Sequence, residues 1–246
     1  MKNMPNIINL SEDQTLYRYF IYEYLLDLFK NKRNTLNNTY EWNDPFENFF
    51  YESHYLSEHG KPIGIISRDR MYGQCWTLNE ESDAQWHCYS KNAHVIKVKS
   101  KLINVIAPLK KIKPDFVYFG KVDYLSESQL LTFLKTYYEE LLYGTDQNLR
   151  MQTLFMKRIP FSYENEVRII YYNIEGSIDG QPKRYTYNIE PNDLIFEIVF
   201  SPWEDDIFVQ RSTLEIRQLG YLNKIYKSDL YSYPNIIFDI HKRTHT

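Results

Sequence analysis

The stretch Tyr163-Glu164-Asn165-Glu166-Val167-Arg168-Ile169-Ile170 (YENEVRII) sets two acids and a base into a β-prone run that continues as YYNI. The spacing predicts a strand. On it Glu164, Glu166 and Arg168 share one face, while Val167 and Ile169 face the other way. Two carboxylates about 7 Å apart on one face repel unless a cation, a metal or a substrate lies between them. Lys157, Arg158 and Arg168 are near enough in sequence to form an ion-pair network. By residue type alone, the solvated sheet face is therefore preferred over an active site.

The rest of the chain bounds the alternatives. Its 246 residues are 43% hydrophobic and 17% aromatic, with 23 Tyr, which suffices for a sizeable core whose hydroxyls need partners. A net charge of −3 argues against a protein mainly devoted to long nucleic acid, though not against a local basic groove. Cys75 and Cys88 have no disulfide or zinc spacing and read as free thiols. The N-terminal residues carry no apolar signal region, and no run approaches membrane-span length. The expectation is a cytoplasmic, non-membrane protein.

Strands are expected at TLYRYF, MYGQCWTL, HVIKVKS, DFVYFGKVDYL, LIFEIVF and KIYKSDL, with another strand before the Asn43-Asp44-Pro45 turn. KRYTYNI is expected to pair with the YENEVRII strand as a hairpin-like partner. Helices are expected after Tyr22, over SDAQWHCYSK with Ser82 as cap, and over SESQLLTFLKTYYEELLYG with a Ser126/Gln129 capping box. Two more are expected over QNLRMQTLFMKR and from SPWEDD to Gly220. No repeat or linker divides the chain. Strands and helices mix without βαβ alternation, so the expected fold is α+β: a single domain over residues 1–246, with a mixed, largely antiparallel sheet flanked by helices.

Four constellations carry the candidate chemistry. Arg18 is a cation inside an apolar strand, beside Tyr19; alone it reads as a half-exposed strand residue. In EWNDPFE, Asn43 and Asp44 read as turn punctuation, and Glu47 stands open as a residue at a pocket mouth. Thr77 ends a strand close before a helix with Trp86 and Tyr89 on one face. Such residues suit a ribose and a flat ring, although aromatics at this spacing are more often core. The Glu164/Glu166 pair is the fourth. His87 and Cys88 point different ways on a helix, so no metal site is expected. Lys97, Lys99 and Lys101 share a strand face and, with Lys110, Lys111 and Lys113, form a basic stretch. It reads as a nucleic-acid contact or as a guarded edge strand. No Walker, dinucleotide-fold or nucleophile-elbow motif is present.

LYRYF, NDPFE, CWTLNEESDAQWHCYS, VYFGKVDYL, KRIPFSYENEVRII, LIFEIVFSP and KIYKSDL, in this order, resemble the bacterial and phage family catalogued as domain of unknown function 2971. The resemblance spans about residues 15–230. It departs where SKNAHVIKVKS replaces the family's usual Gly-containing strand. More weakly, a strand with Tyr-Arg, a strand ending in a hydroxyl and a late Glu-x-Glu strand resemble ADP-ribosyltransferases of the Arg–Ser–Glu type. Here Thr77 stands where that pattern has serine, and no Ser-Thr-Ser triplet exists.

That second resemblance implies NAD as substrate. Arg18 and Tyr19 would hold a phosphate or ribose, Thr77 would orient the nicotinamide ribose, and Trp86 or Tyr89 would stack on a flat ring. Glu166 would stabilise an oxocarbenium-like transition state, with Glu164 activating the acceptor, a protein or a nucleic acid among the candidates. It also implies a toxin or phage-defence setting. The competing readings are a metal-dependent nuclease using Asp44, Glu164 and Glu166, and a non-catalytic ligand- or partner-binding module. The residues leave oligomeric state open.

Overall fold

A computed structural model describes residues 7–8, 10–63, 70–90, 93–175 and 183–237. Strand β1 (Ile7–Ile8) precedes β2 (Thr15–Ile21), which runs directly into helix α1 (Tyr22–Asn31). Leu25, Leu28 and Phe29 are buried at helical spacing, and Lys32 at φ 47° ends the helix in the left-handed region. β3 (Arg33–Asn38) leads into 3-10 turns at Thr39–Glu41 and Pro45–Asn48, then α2 (Phe49–Glu52) and the hairpin β4 (Tyr55–Leu56) and β5 (Pro62–Ile63).

β6 (Met71–Thr77), α3 (Asp83–Tyr89), β7 (Val95–Lys101), α4 (Leu102–Ile112), β8 (Val117–Lys121) and β9 (Asp123–Leu125) follow. The Ser126/Gln129 capping box then starts α5 (Glu127–Tyr143). α6 (Gln147–Gln152), β10 (Met156–Arg158), β11 (Glu166–Tyr172), β12 (Arg184–Asn188), α7 (Pro191–Leu194), β13 (Glu197–Phe200), α8 (Asp206–Gln218) and β14 (Lys224–Lys227) complete the order.

A ten-stranded sheet runs β1-β8-β11-β6-β2-β7-β13-β14, with β3 joined to β6 and β12. Within it only the outermost pairs, β1 with β8 and β13 with β14, are parallel. Alternation assigns the faces. Val167, Ile169 and Tyr171 of β11 join the larger core beneath α1, α4 and α8, while Ile170 joins a second core with α2, α5 and α6. The α+β expectation matches this architecture.

The feature that positions the site is a fork. β2 and β6 share a single register pair, Tyr17 with Thr77. Beyond it β2 stays with β7 as far as Ile21, while β6 turns to β3 at Gly73 and Tyr72. The gap between the diverging strands admits side chains from both faces of the sheet.

Several sequence expectations are corrected. β11 begins at Glu166, because Ile159–Glu164 forms a 3-10 turn and Asn165 adopts φ 43°. β12 pairs with β3, not with β11. β7 is no edge: it lies between β2 and β13, and Lys97 is 3% exposed, donating to the Glu80 carbonyl. The basic stretch is not a free groove either, since Lys101 meets Asp13, Lys110 meets Glu12 and Lys113 meets Glu175. The helix expected over residues 147–158 stops at Gln152, so Lys157 and Arg158 lie on β10. α8 starts at Asp206, capped by Asp205. α4 has no counterpart among the expected helices, and the end of the helix expected through Lys91 lies outside the described residues. No helix among the described residues is long and apolar enough to cross a membrane.

Candidate active site

A cleft of about 620 Å³ opens in the fork, within the range of small-molecule sites. It continues into a recess of about 40 Å³. Arg18, Tyr19, Cys75, Tyr89, Glu164 and Glu166 line both spaces; Glu47 and Lys157 line the cleft, and Thr77 and Gln85 the recess. The fold thus brings together Arg18, Thr77 and the two glutamates, which lie up to 148 residues apart in sequence.

One wall is a buried charge cluster. The αL turn at Asn165 swings Glu164 off the strand, yet both carboxylates meet at Lys157. Its Nζ lies 2.6 Å from Glu164 Oε2, 3.3 Å from Glu166 Oε2 and 2.9 Å from Glu47 Oε1. Arg168, with no exposed surface, donates from Nε to Glu166 Oε1 at 2.8 Å and from Nη2 to Glu166 Oε2 at 3.1 Å. The same Nη2 donates to Glu47 Oε1 at 2.5 Å, and Nη1 to the Leu154 carbonyl at 2.6 Å. Trp42 covers the guanidinium at 4.3 Å, and it approaches the sheet because residue 73 is glycine: a Cβ there would lie 2.5 Å from the Trp42 ring.

The expected wet face is therefore dry, and the cation required between the acids is Lys157. Three carboxylates against two cations leave one negative charge in the cluster.

That excess sets the protonation. Burial pushes the Glu166 carboxyl up, but the ion pair and hydrogen bonds with Arg168, aided by Lys157, outweigh it and hold it at about 2. Burial dominates at Glu164 and raises its pKa against the pull of Lys157. The pair is thus one firmly ionised acid beside one that gains a proton readily. Burial, with Glu166 alongside, pushes the Cys75 thiol well up, so it stays protonated.

The other wall carries Arg18. It is half-buried, and desolvation lowers its pKa, although a guanidinium keeps its charge in a protein. Its guanidinium lies 5.0 Å from the Phe20 ring centroid. Among the described residues no carboxylate or hydrogen-bond acceptor pairs with it, whereas Lys97, Lys157 and Arg168 each have a carboxylate partner.

The remaining candidates divide. Tyr89 stays 48% exposed, its ring stacked on Tyr19 at 6.1 Å. Tyr19 is buried, and its hydroxyl accepts from the Ser82 amide. Trp86 is corrected: it lines neither space, because it is fully buried against Tyr19 at 4.7 Å and donates from Nε1 to Glu81. Thr77 Oγ1 donates to the Glu164 carbonyl at 2.6 Å and accepts from the Asn79 amide, which leaves it one lone pair. It anchors the Glu164 turn.

Asp44 caps the 3-10 turn through the Phe46 amide and pairs with Arg158 at 2.8 Å. The grouping of Asp44 with Glu164 and Glu166 as metal ligands is corrected accordingly: their oxygens face Arg158, Lys157 and Arg168. Among the described residues no group of three or more His, Cys, Asp or Glu is placed to hold a metal. Gln85 was not a candidate from sequence, and Lys157 was expected only as an ion-pair neighbour of the two glutamates, on a segment read as helix.

No protein-family model and no curated protein matches the chain, so the resemblance to domain of unknown function 2971 is without a family-model match. Among solved structures the chain is similar to DarT of Thermus sp. 2.9. Its complex with NAD+ shares 12% identity at a TM-score of 0.41, covering 92% of this chain and 100% of that one. Its complex with carba-NAD+ scores 0.40 over 91% and 100%, also at 12% identity. Its complex with ADP-ribosylated single-stranded DNA scores 0.40 over 91% and 98%, again at 12%. Similarity at this level decides nothing about the chemistry of this chain, which rests on its own cleft.

Proposed function

We propose that the cleft binds NAD and transfers its ADP-ribosyl group. The observation that carries this reading is Arg18, a desolvated guanidinium without an anionic partner, facing the same cleft as a buried carboxylate pair. A partly desolvated cation without a counter-ion is open to an anion, and a phosphate oxygen is the acceptor that its planar fork of donors suits best.

The chemistry follows from the two walls. Arg18 holds the pyrophosphate and Tyr89 lies against a ring of the dinucleotide. The nicotinamide–ribose bond breaks with its electron pair leaving on the ring, which neutralises the pyridinium. Glu166, ionised and fixed by Arg168, stabilises the positive charge that develops on the ribose. The acceptor, or water in its place, bonds to the sugar carbon and gives its proton to Glu164, whose raised pKa suits a base. Thr77 and Lys157 hold the two acids in place.

Nicotinamide release from NAD tests the reading. Wild type is expected to release nicotinamide. Glu166→Gln should lose about 10²–10³-fold in kcat, the cost typical of removing a preorganised electrostatic group. Absence of release, together with absence of any NAD-dependent shift in melting temperature, sinks the proposal. A second reading draws on one observation: both oxygens of Glu166 already accept from Arg168 or Lys157. That suits a module that binds NAD without turnover, and a melting shift with no release would favour it.

A further inference from the structure

The recess that shares a wall with the cleft gathers three acceptor side chains beside Arg18. Glu164 and Glu166 contribute carboxylates, and Gln85 contributes an amide that is 5% exposed. Gln85 Nε2 donates to the Glu164 carbonyl at 3.2 Å. This contact fixes which way the amide lies, since a flipped amide would set its oxygen against that carbonyl. Oε1 is then the free end: it is buried and has no donor among the described residues. A buried acceptor without a donor is destabilising, and a native site that keeps one is a site where something else supplies the donor. The terminal torsion of a glutamine is soft, so the oxygen can follow an incoming group.

The recess has room for about three waters or one small planar group. With Arg18 engaged by the pyrophosphate, the remaining walls favour a group that donates hydrogen bonds and tolerates surrounding negative charge. A carboxamide NH2 on a cationic ring fits both demands; a carboxylate fits neither.

We propose that Gln85 is the specificity residue of the recess, accepting a hydrogen bond from the carboxamide NH2 of the nicotinamide ring and thereby selecting amide over acid dinucleotides. The inference rests on the NAD reading of the cleft. Gln85 touches the leaving group, while its second contact orders the Glu164 turn. Loss of ordering alone would slow every dinucleotide equally, whereas loss of recognition changes the ratio between them.

The experiment compares kcat/KM for NAD and for nicotinic acid adenine dinucleotide in wild type and Gln85→Met, with melting temperatures alongside. Wild type should prefer the amide at least tenfold, and the variant should lose about tenfold of that preference, as expected for one hydrogen bond. A second arm needs no variant. 3-Acetylpyridine adenine dinucleotide keeps the ring carbonyl but replaces NH2 by methyl, and it should bind wild type about tenfold more weakly than NAD. Equal handling of amide and acid by wild type, an unchanged ratio in Gln85→Met, or equal affinity for the acetyl analogue each overturns the role of Gln85 while leaving NAD turnover in place. Absence of both turnover and binding of NAD overturns the cleft reading itself.

Discussion

Arg18 lines the cleft and Arg168 lies behind its Glu166 wall, and the two arginines differ in what they lack. Arg168 has no exposed surface, and four of its hydrogen bonds end on Glu47, Glu166 and the Leu154 carbonyl. Arg18 stands across the fork with a ring beside it and no anion. The same residue type is thus held internally on one strand and left open to the cleft on another, and both burial and partner count separate the two.

Removing each arginine should break the symmetry most sharply. Arg168→Met leaves Glu47 and Glu166 buried without their main partner and is expected to cost about 3–5 kcal/mol in denaturant unfolding. Arg18→Met should change stability by less than about 1 kcal/mol, because it strips no partner, yet weaken NAD binding about 10–100-fold by titration. Equal destabilisation by the two variants would erase the distinction.

The two glutamates divide in the same manner, and pH separates them. The pKa of Glu166 is depressed in the folded state, so its stabilisation is complete above the unfolded carboxylate value and is lost as pH falls through about 2. The pKa of Glu164 is raised, so the folded state binds its proton more tightly; stability falls as pH rises from the unfolded value to the raised one. Unfolding midpoints measured across that window should show a decline with rising pH in wild type that Glu164→Gln abolishes. The raised pKa of Glu164 should also appear as the acidic limb of the kcat profile.

A smaller effect concerns Asn165, whose φ of 43° lets Glu164 and Glu166 meet at one lysine. Asn165→Gly should be tolerated, while Asn165→Val should cost about 1–2 kcal/mol and lower activity, seen by melting beside turnover.

The smallest sharpens a second comparison, between two Ser-x-x-Gln sequences. At Ser126 and Gln129 both halves of the capping box close on the helix. At Ser82 and Gln85 only the serine caps; the Ser82 amide turns to the Tyr19 hydroxyl, and the glutamine turns to Glu164. Gln129→Ala should cost about 0.5–1 kcal/mol in thermal melts with turnover intact, whereas Gln85→Ala should mainly alter turnover.

These pairs show why the site was only partly legible. The Ser126/Gln129 capping box, the Ser82 cap and the turn at Asp44 are local, and they read correctly. Arg18, Thr77, Glu164 and Glu166 were singled out together only by the resemblance to ADP-ribosyltransferases; by residue type alone the glutamates read as a solvated face. The place of Glu164 was misread, because Asn165 breaks the strand register on which the face assignment depended. Lys97 was misplaced for a similar reason: alternation along β7 reveals a face but not the neighbouring strands, and β13 covers what looked like an edge. Trp86 and Tyr89 share a helix face, yet packing against Tyr19 buries one and leaves the other in the cleft.

By itself, the sequence determined the α+β class, most strands and helices, and most of the acids, the arginine and the tyrosines that the cleft gathers. Those follow from contacts within a few residues, where backbone preference and side-chain period act directly. Only the tertiary structure decided that β2 and β6 part after one pair, that Lys157 joins the acids, and that Gln85 Oε1 is left without a donor. The first and last depend on pairings across tens of residues, and the Lys157 contacts with Glu164 and Glu166, 7 and 9 residues apart, depend on the turn at Asn165; strand register and burial, not local preference, set which groups meet.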